Sequence, residues 1–181
     1  YTLMTYLTGK KIALRAIEPE DLDDLYRWEN DSSLWIYGCT IAPFSRYLMK
    51  RYIENYSADI ARDGQLRLMI VERETKKSIG ILDCFDYDSV NRRAAVGLLI
   101  DPSHTRQGFG RDALETFMEY AFQFLHLHQL YVHIATCNTA SMALFLACGF
   151  RECGHLTDWL QLPQGYDDAL VFQKINPDEK G

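Results

Sequence analysis

Nowhere in the 181 residues does an apolar run approach the roughly 18 residues that a membrane-spanning helix needs. The opening YTLMTYLTGKK also lacks the basic-then-apolar order of a signal peptide, so a cytoplasmic protein is expected. There is no CxxC pair, and the five cysteines, Cys39, Cys84, Cys137, Cys148 and Cys153, form an odd set. Neither a disulfide framework nor a zinc site follows from that, and reduced, buried thiols do. No histidine has metal-ligand spacing, so no metal is expected. Basic excess is missing too. A net charge of -6 disfavours binding to a nucleic acid backbone and suits a cationic partner. The chain carries no GKS or GKT and no third glycine of a dinucleotide fingerprint, which excludes a P-loop and a nucleotide-binding βαβ unit.

What remains is an ordinary globular composition, 48% hydrophobic and 24% charged, which supports one domain over 1–181 with residues 1–9 peripheral. KIALRAI at 11–17 alternates as a strand and stops before Pro19, and the acidic turn after it opens a helix. An irregular stretch, DSSLWIYGCTIAPF, precedes a second helix from about Ser45 to Asp59. LRLMIVERE, SIGILDCFDYD and RRAAVGLLID then read as an antiparallel meander. RDALETFMEYAFQFL carries an apolar stripe through Ala113, Leu114, Phe117, Met118 and Ala121, a helix. LYVHIAT is a buried strand, a short helix begins at Asn138 and stops at Gly149, and strands at about 150–162 and 168–175 close the chain. The fold class is mixed α/β with a mostly antiparallel sheet.

Two segments carry chemistry. In VGLLIDPSHTRQGFGR, Val96 to Arg111, an apolar strand enters a glycine-bearing loop that directly opens a helix. Gly108 and Gly110 let backbone approach a ligand, helix-start amides attract a phosphate, and Arg106 and Arg111 add charge. In NTASMALFLACGF, 138–150, a strand ends at an Asn and a short helix presents Ser141 and Phe145.

RQGFGRDA after one strand, with NxxSxxLFxxxGF after the next, resembles the GNAT superfamily of acetyl-CoA-dependent N-acetyltransferases. NRRAAVGLLIDP, MEYAFQFLHLHQLYVHI and YDDALVFQKI are similar to the branch holding spermidine and spermine acetyltransferases and ribosomal-protein N-terminal acetyltransferases. The resemblance implies acetyl-CoA as co-substrate, an amine acceptor, and strands at about 94–101 and 130–137 that splay to clasp pantetheine. It implies that Leu98, Leu99 and Ile100 offer backbone groups to that arm. Thr105, Arg106, Gln107, Gly108, Phe109, Gly110 and Arg111 would meet the pyrophosphate, and Asn138, Ser141 and Phe145 would line the far side. It further implies direct attack by the amine, with a backbone amide steadying the oxyanion. A homo-oligomer is compatible with all of this.

Three positions depart from the family pattern. Thr105 stands where glutamine or arginine is usual, Phe145 replaces a tyrosine that serves as general acid, and Ala95 replaces an acidic residue. TIAPF at 40–44 lacks the acids of polyamine enzymes, which leaves a small amine or a protein N-terminus as acceptor. His133 reads either as the general base or as a satisfied histidine, and Asp83 either as a cleft carboxylate or as a solvent-facing one. Trp28, Trp35 and Tyr37 wall a cleft or belong to core and loop. His104 sits beside the phosphate loop, where it can help bind the cofactor. Cys148 reads as helix packing, and Tyr166, Asp167 and Asp168 border the acceptor or serve a turn. A non-catalytic acyl-CoA-binding protein and a pure interaction domain are the competing classes.

Overall fold

The computed structural model describes residues 6–37 and 41–179, with the side chains of residues 36 and 37 outside the description. Tyr37's ring and Thr40 of the TIAPF segment therefore lie outside the described residues. Strands β1 (Ile12–Arg15), β2 (Leu66–Glu72), β3 (Ser78–Asp88) and β4 (Arg93–Ile100) run antiparallel in sequence order. β5 (Gln129–Ala135) joins β4 in parallel, β7 (Gly165–Ile175) pairs with β5, and β6 (Arg151–Leu162) forms the far edge. Among the described residues these make one seven-stranded sheet, ordered β1-β2-β3-β4-β5-β7-β6. Helices α1 (Leu22–Glu29), α2 (Arg46–Asn55), α3 (Ile60–Asp63), α4 (Phe109–Glu119) and α5 (Thr139–Ala147) cover it.

Strand alternation divides the apolar side chains between the two faces. Leu68, Leu82, Val96, Leu130 and Val132 meet Leu114, Phe117 and Phe145 in the larger core. Met69 and Ile81 turn the other way, onto Leu25, Trp28 and Met49. Each such fully buried side chain contributes roughly 1.5–3 kcal/mol. α4 forms as its stripe requires, with Ala113, Leu114, Phe117 and Ala121 fully buried. Its last turn widens to a π-type turn over Tyr120–Phe124, where the Leu125 amide donates to the Tyr120 carbonyl.

The structure corrects two expectations. The helix anticipated over 45–59 ends at Asn55, because Tyr56 takes an extended backbone and its hydroxyl grips β2. That hydroxyl accepts from the Arg67 amide at 2.6 Å and donates to the Arg67 carbonyl at 3.0 Å. Asp59 then caps the separate α3. Residues 6–9 are not peripheral. Leu7 packs on the larger core, Tyr6 meets the Tyr120 and Phe124 rings, and the Leu7 carbonyl accepts from the Leu14 amide.

Candidate active site

β4 and β5 pair only from Arg93 to Ala95 and from Gln129 to Tyr131. Beyond that point each strand keeps only its other neighbour, β3 or β7, so the strands present facing backbone edges with no ladder between them. Alternation decides which groups border the opening. The Arg92 carbonyl accepts from the His128 amide on the β5 side at 2.6 Å, and the Asp101 amide donates to the Ile79 carbonyl on the β3 side at 2.7 Å. Val96, Leu98 and Ile100, in phase with Arg92, therefore turn their polar backbone groups to the opening. Leu99 departs from the expected trio. Its carbonyl faces β3, so close that a Cβ added at Gly80 would sit 2.1 Å from its oxygen.

The opening leads to the start of α4. Gly108 occupies the N-cap in the left-handed region, φ 82°, and offers no side-chain acceptor. The first-turn amides of Phe109, Gly110 and Arg111 thus have no acceptor within the helix, and the dipole adds positive charge there. A Cβ at Gly110 would lie 3.4–3.6 Å from Leu98, Leu144 and Ile100, which puts this helix start against β4 and α5 together. Thr105, Arg106 and Gln107 are exposed, while Phe109 is 6% exposed, so its ring is core and only its amide faces outward. Arg111 shares its charge with Glu115 at 2.9 Å. Lys11, which sequence reasoning missed, donates from Nζ to the Gln107 carbonyl at 2.8 Å and supplies a third cation. Its strand is pinned there by Asp112, whose carboxylate accepts from the amides of Lys10, Lys11 and Ile12. A lysine pair just ahead of a strand carries no local signal for this.

On the opposite wall Asn138 caps α5, its Oδ1 accepting from the Ser141 amide at 3.2 Å. Phe145 corrects the sequence reading. It is 2% exposed and packs edge-on against Phe150 at 4.9 Å, because α5 turns that position into the core. His104 leans on Phe109 at 6.2 Å and shares a 2.8 Å hydrogen bond with Ser103 Oγ.

Across the sheet, Asp83, Ala95, Gly97 and His133 share the face away from α4. Asp83 pairs in register with Gly97, beside the point where β4 and β5 part. His133 is exposed on β5, with Tyr131 and Trp159 rings each 6.0 Å away. Asp83 does not wait for a cationic amine alone. Arg67 grips it through two bonds, 2.7 and 3.0 Å, and also reaches Glu29 at 3.1 Å. Burial opposes the Arg67 charge, yet Asp83 holds its pKa above the ordinary guanidinium value. A groove of about 370 Å³ opens next to this cluster, lined by Leu48, Tyr52 and Tyr56, and not at the parted strands.

The remaining candidates fall to structural roles. Trp28 is 2% exposed and donates from Nε1 to Asp101, and Trp35 donates to the Glu29 carbonyl. Asp167 accepts from Thr136 Oγ1 and the Cys137 amide, and Asp168 accepts from the Asp158 amide and pairs with His155. Burial pushes the Cys148 thiol up to about 11 and the Cys84 thiol up to about 12, which suits packing rather than nucleophilic attack.

The profile of an acetyltransferase (GNAT) domain matches residues 11–151. A spermidine N(1)-acetyltransferase of Vibrio cholerae is 29% identical over 161 residues, covering 89% of this chain and 91% of that protein. A putative ribosomal N-acetyltransferase of Bacillus subtilis is 25% identical, covering 99% of each. Among solved structures, the Vibrio cholerae spermidine N-acetyltransferase in complex with CoA and spermine superposes with a TM-score of 0.79 at 26% identity, covering 92% and 96% of the two chains. A dodecameric form of that enzyme in an intermediate state gives a TM-score of 0.76 at 25% identity, covering 94% and 99%. The parted strands, the uncapped helix start and this match over most of the chain agree: the protein belongs to the GNAT acetyltransferase family and is an acetyl-CoA-dependent N-acetyltransferase.

Proposed function

We propose that the chain acetylates a primary amine, a small molecule or a protein N-terminus, by direct attack within a ternary complex. The observation that carries this reading is the pair of unladdered edges on β4 and β5 leading to the α4 start that Gly108 leaves uncapped. Acetyl-CoA, when bound, supplies the acetyl group as a thioester whose carbonyl carbon accepts the amine nitrogen as the carbon–sulfur bond breaks. The amides of Phe109, Gly110 and Arg111, with Lys11 and Arg106, hold the diphosphate. Val96, Leu98 and Ile100 extend the ladder to the pantetheine amides, and Asn138 and Ser141 border its other side.

On the far face His133 takes the ammonium proton, since a neutral imidazole acts near neutral pH. Asp83, already neutralised by Arg67, orients the acceptor side rather than supplying free charge. With Phe145 in place of a hydroxyl-bearing residue, departure of the thiolate needs no side-chain acid, because a thiol pKa of roughly 8.5 makes it a tolerable leaving group. We place the reaction in the cytoplasm; no helix among the described residues is long and apolar enough to cross a membrane. The dodecameric neighbour supports a homo-oligomer.

Thiol release from acetyl-CoA over a panel of amines tests the reaction, and tight CoA binding without turnover on any amine would defeat it in favour of a non-catalytic binder. His133→Gln should lower kcat by about 10²-fold and remove the acidic limb of its pH profile. An unaltered profile would take the base role away from His133.

A further inference from the structure

One buried carboxylate outside the groups assigned above is surrounded by donors from two directions. Asp101 ends β4 and is 5% exposed. Its Oδ1 accepts from the Ser103 amide at 2.9 Å and from Ser103 Oγ at 2.6 Å. Its Oδ2 accepts from Trp28 Nε1 at 2.8 Å and from Arg27 Nη1 at 2.5 Å. Burial alone would raise its pKa, but the bonds from Ser103, Trp28 and Arg27 outweigh that and hold it well below the usual carboxylate range. The residue's own backbone is fixed as well, its amide to Ile79 and its carbonyl by the His104 amide at 2.8 Å.

Ser103 and His104 stand in the turn that opens the phosphate loop. Ser103 Oγ has one proton, and giving it to Asp101 leaves the oxygen as acceptor for His104 Nδ1–H, 2.8 Å away. His104 in turn leans on Phe109, the first residue of α4. A line of contacts therefore runs from α1 through Asp101, Ser103 and His104 to the helix start. At its other end Glu29, next to Trp28 on α1, meets Arg67 and through it Asp83 on the acceptor face.

We infer that Asp101 is a positioning residue, which sets loop 102–108 against α1 so that the helix-start amides stand at the parted strands in a geometry ready for the diphosphate of acetyl-CoA. The inference rests on the proposed cofactor site and adds to it the residue that shapes it. A carboxylate suits this place because both oxygens must accept from two donors each. An amide nitrogen in place of either oxygen faces N–H or O–H groups and repels them.

Calorimetry with CoA on the full chain, paired with acetyl-CoA kinetics, provides the test. Asp101→Asn should raise the CoA Kd and the acetyl-CoA KM about tenfold, with kcat at saturation nearly unchanged, because binding geometry and not chemistry is disturbed. Ser103→Ala is exposed and spares the fold, and it should raise Kd about threefold while the double variant adds little to Asp101→Asn, as expected of residues in one contact line. Unchanged Kd in both variants, with only a lowered Tm, would make Asp101 a packing group and overturn the inference. If Asp101→Asn does not fold, an unchanged Kd in Ser103→Ala overturns it alone. Absence of binding heat with the unaltered protein would instead defeat the cofactor site itself, and this inference with it.

Discussion

Gly80→Ala is expected to lower the unfolding midpoint sharply and to raise the acetyl-CoA KM, a large response to one methyl group. The added Cβ would lie 2.1 Å from the Leu99 carbonyl oxygen and 3.2 Å from the Ile100 Cα. Both are backbone atoms, so no side chain can swing aside. β4 must shift from β3 or turn a peptide, and forcing extra volume into a packed interior costs about 1–3 kcal/mol or more. Leu98 and Ile100 lie on the same short segment and lead directly to Asp101 and the phosphate loop, so the displacement reaches the proposed cofactor contacts. A surface control such as Gly64→Ala has open space around its Cβ, and its φ of 70° limits its own cost to about 1–2 kcal/mol. Denaturant unfolding with parallel kinetics measures both effects. A Gly80→Ala protein of ordinary stability and KM would show that β4 does not approach β3 as described.

The second large effect is expected at Arg67. Arg67→Met keeps an apolar stem but removes the guanidinium, which lies over the Tyr52 ring and holds Asp83 and Glu29. Two carboxylates then lose the cation they share in a partly enclosed site. Losing one partner of a buried pair costs about 3–5 kcal/mol, and the partial exposure of this cluster, 23% for Arg67 and 34% for Asp83, brings the expectation down to about 2 kcal/mol. Because the carboxylates repel, the loss should be smaller at high salt, which screens both that repulsion and the lost attraction. Urea unfolding at low and at high ionic strength compares the two. A loss that is equal at both would assign the effect to the guanidinium's contact with the Tyr52 ring.

The periodic features of the chain were readable without coordinates. The α4 stripe, the meander and the glycine that opens α4 depend on neighbours within one or two turns, and periodicity reports those. Asp101, Lys11 and Arg67 were not readable, because their partners lie 73, 96 and 16 positions away. Phe145 was misplaced for a related reason. The rotation of α5 about its axis follows from packing on Phe150, and α5 is apolar on nearly every side, so no stripe marks an inward face. Leu99 failed on register: three consecutive residues of a strand cannot all turn their polar backbone to one edge. Residues 6–9 were discounted because they stand near the start of the chain, whereas the rings of Tyr120 and Phe124 give Tyr6 a place to pack.

Among the described residues, three residue pairs sew β1–β4 to β5–β7 along the sheet. The rest of that seam depends on α4 and α5, which bear on each other across it. A molecule that lodges its amides between the two free edges supplies the missing stitches, so its occupancy and the cohesion of the two halves become one equilibrium. The short ladder leaves a plane of weakness through the middle of the sheet, and a co-substrate held as proposed would be the cross-brace that closes it.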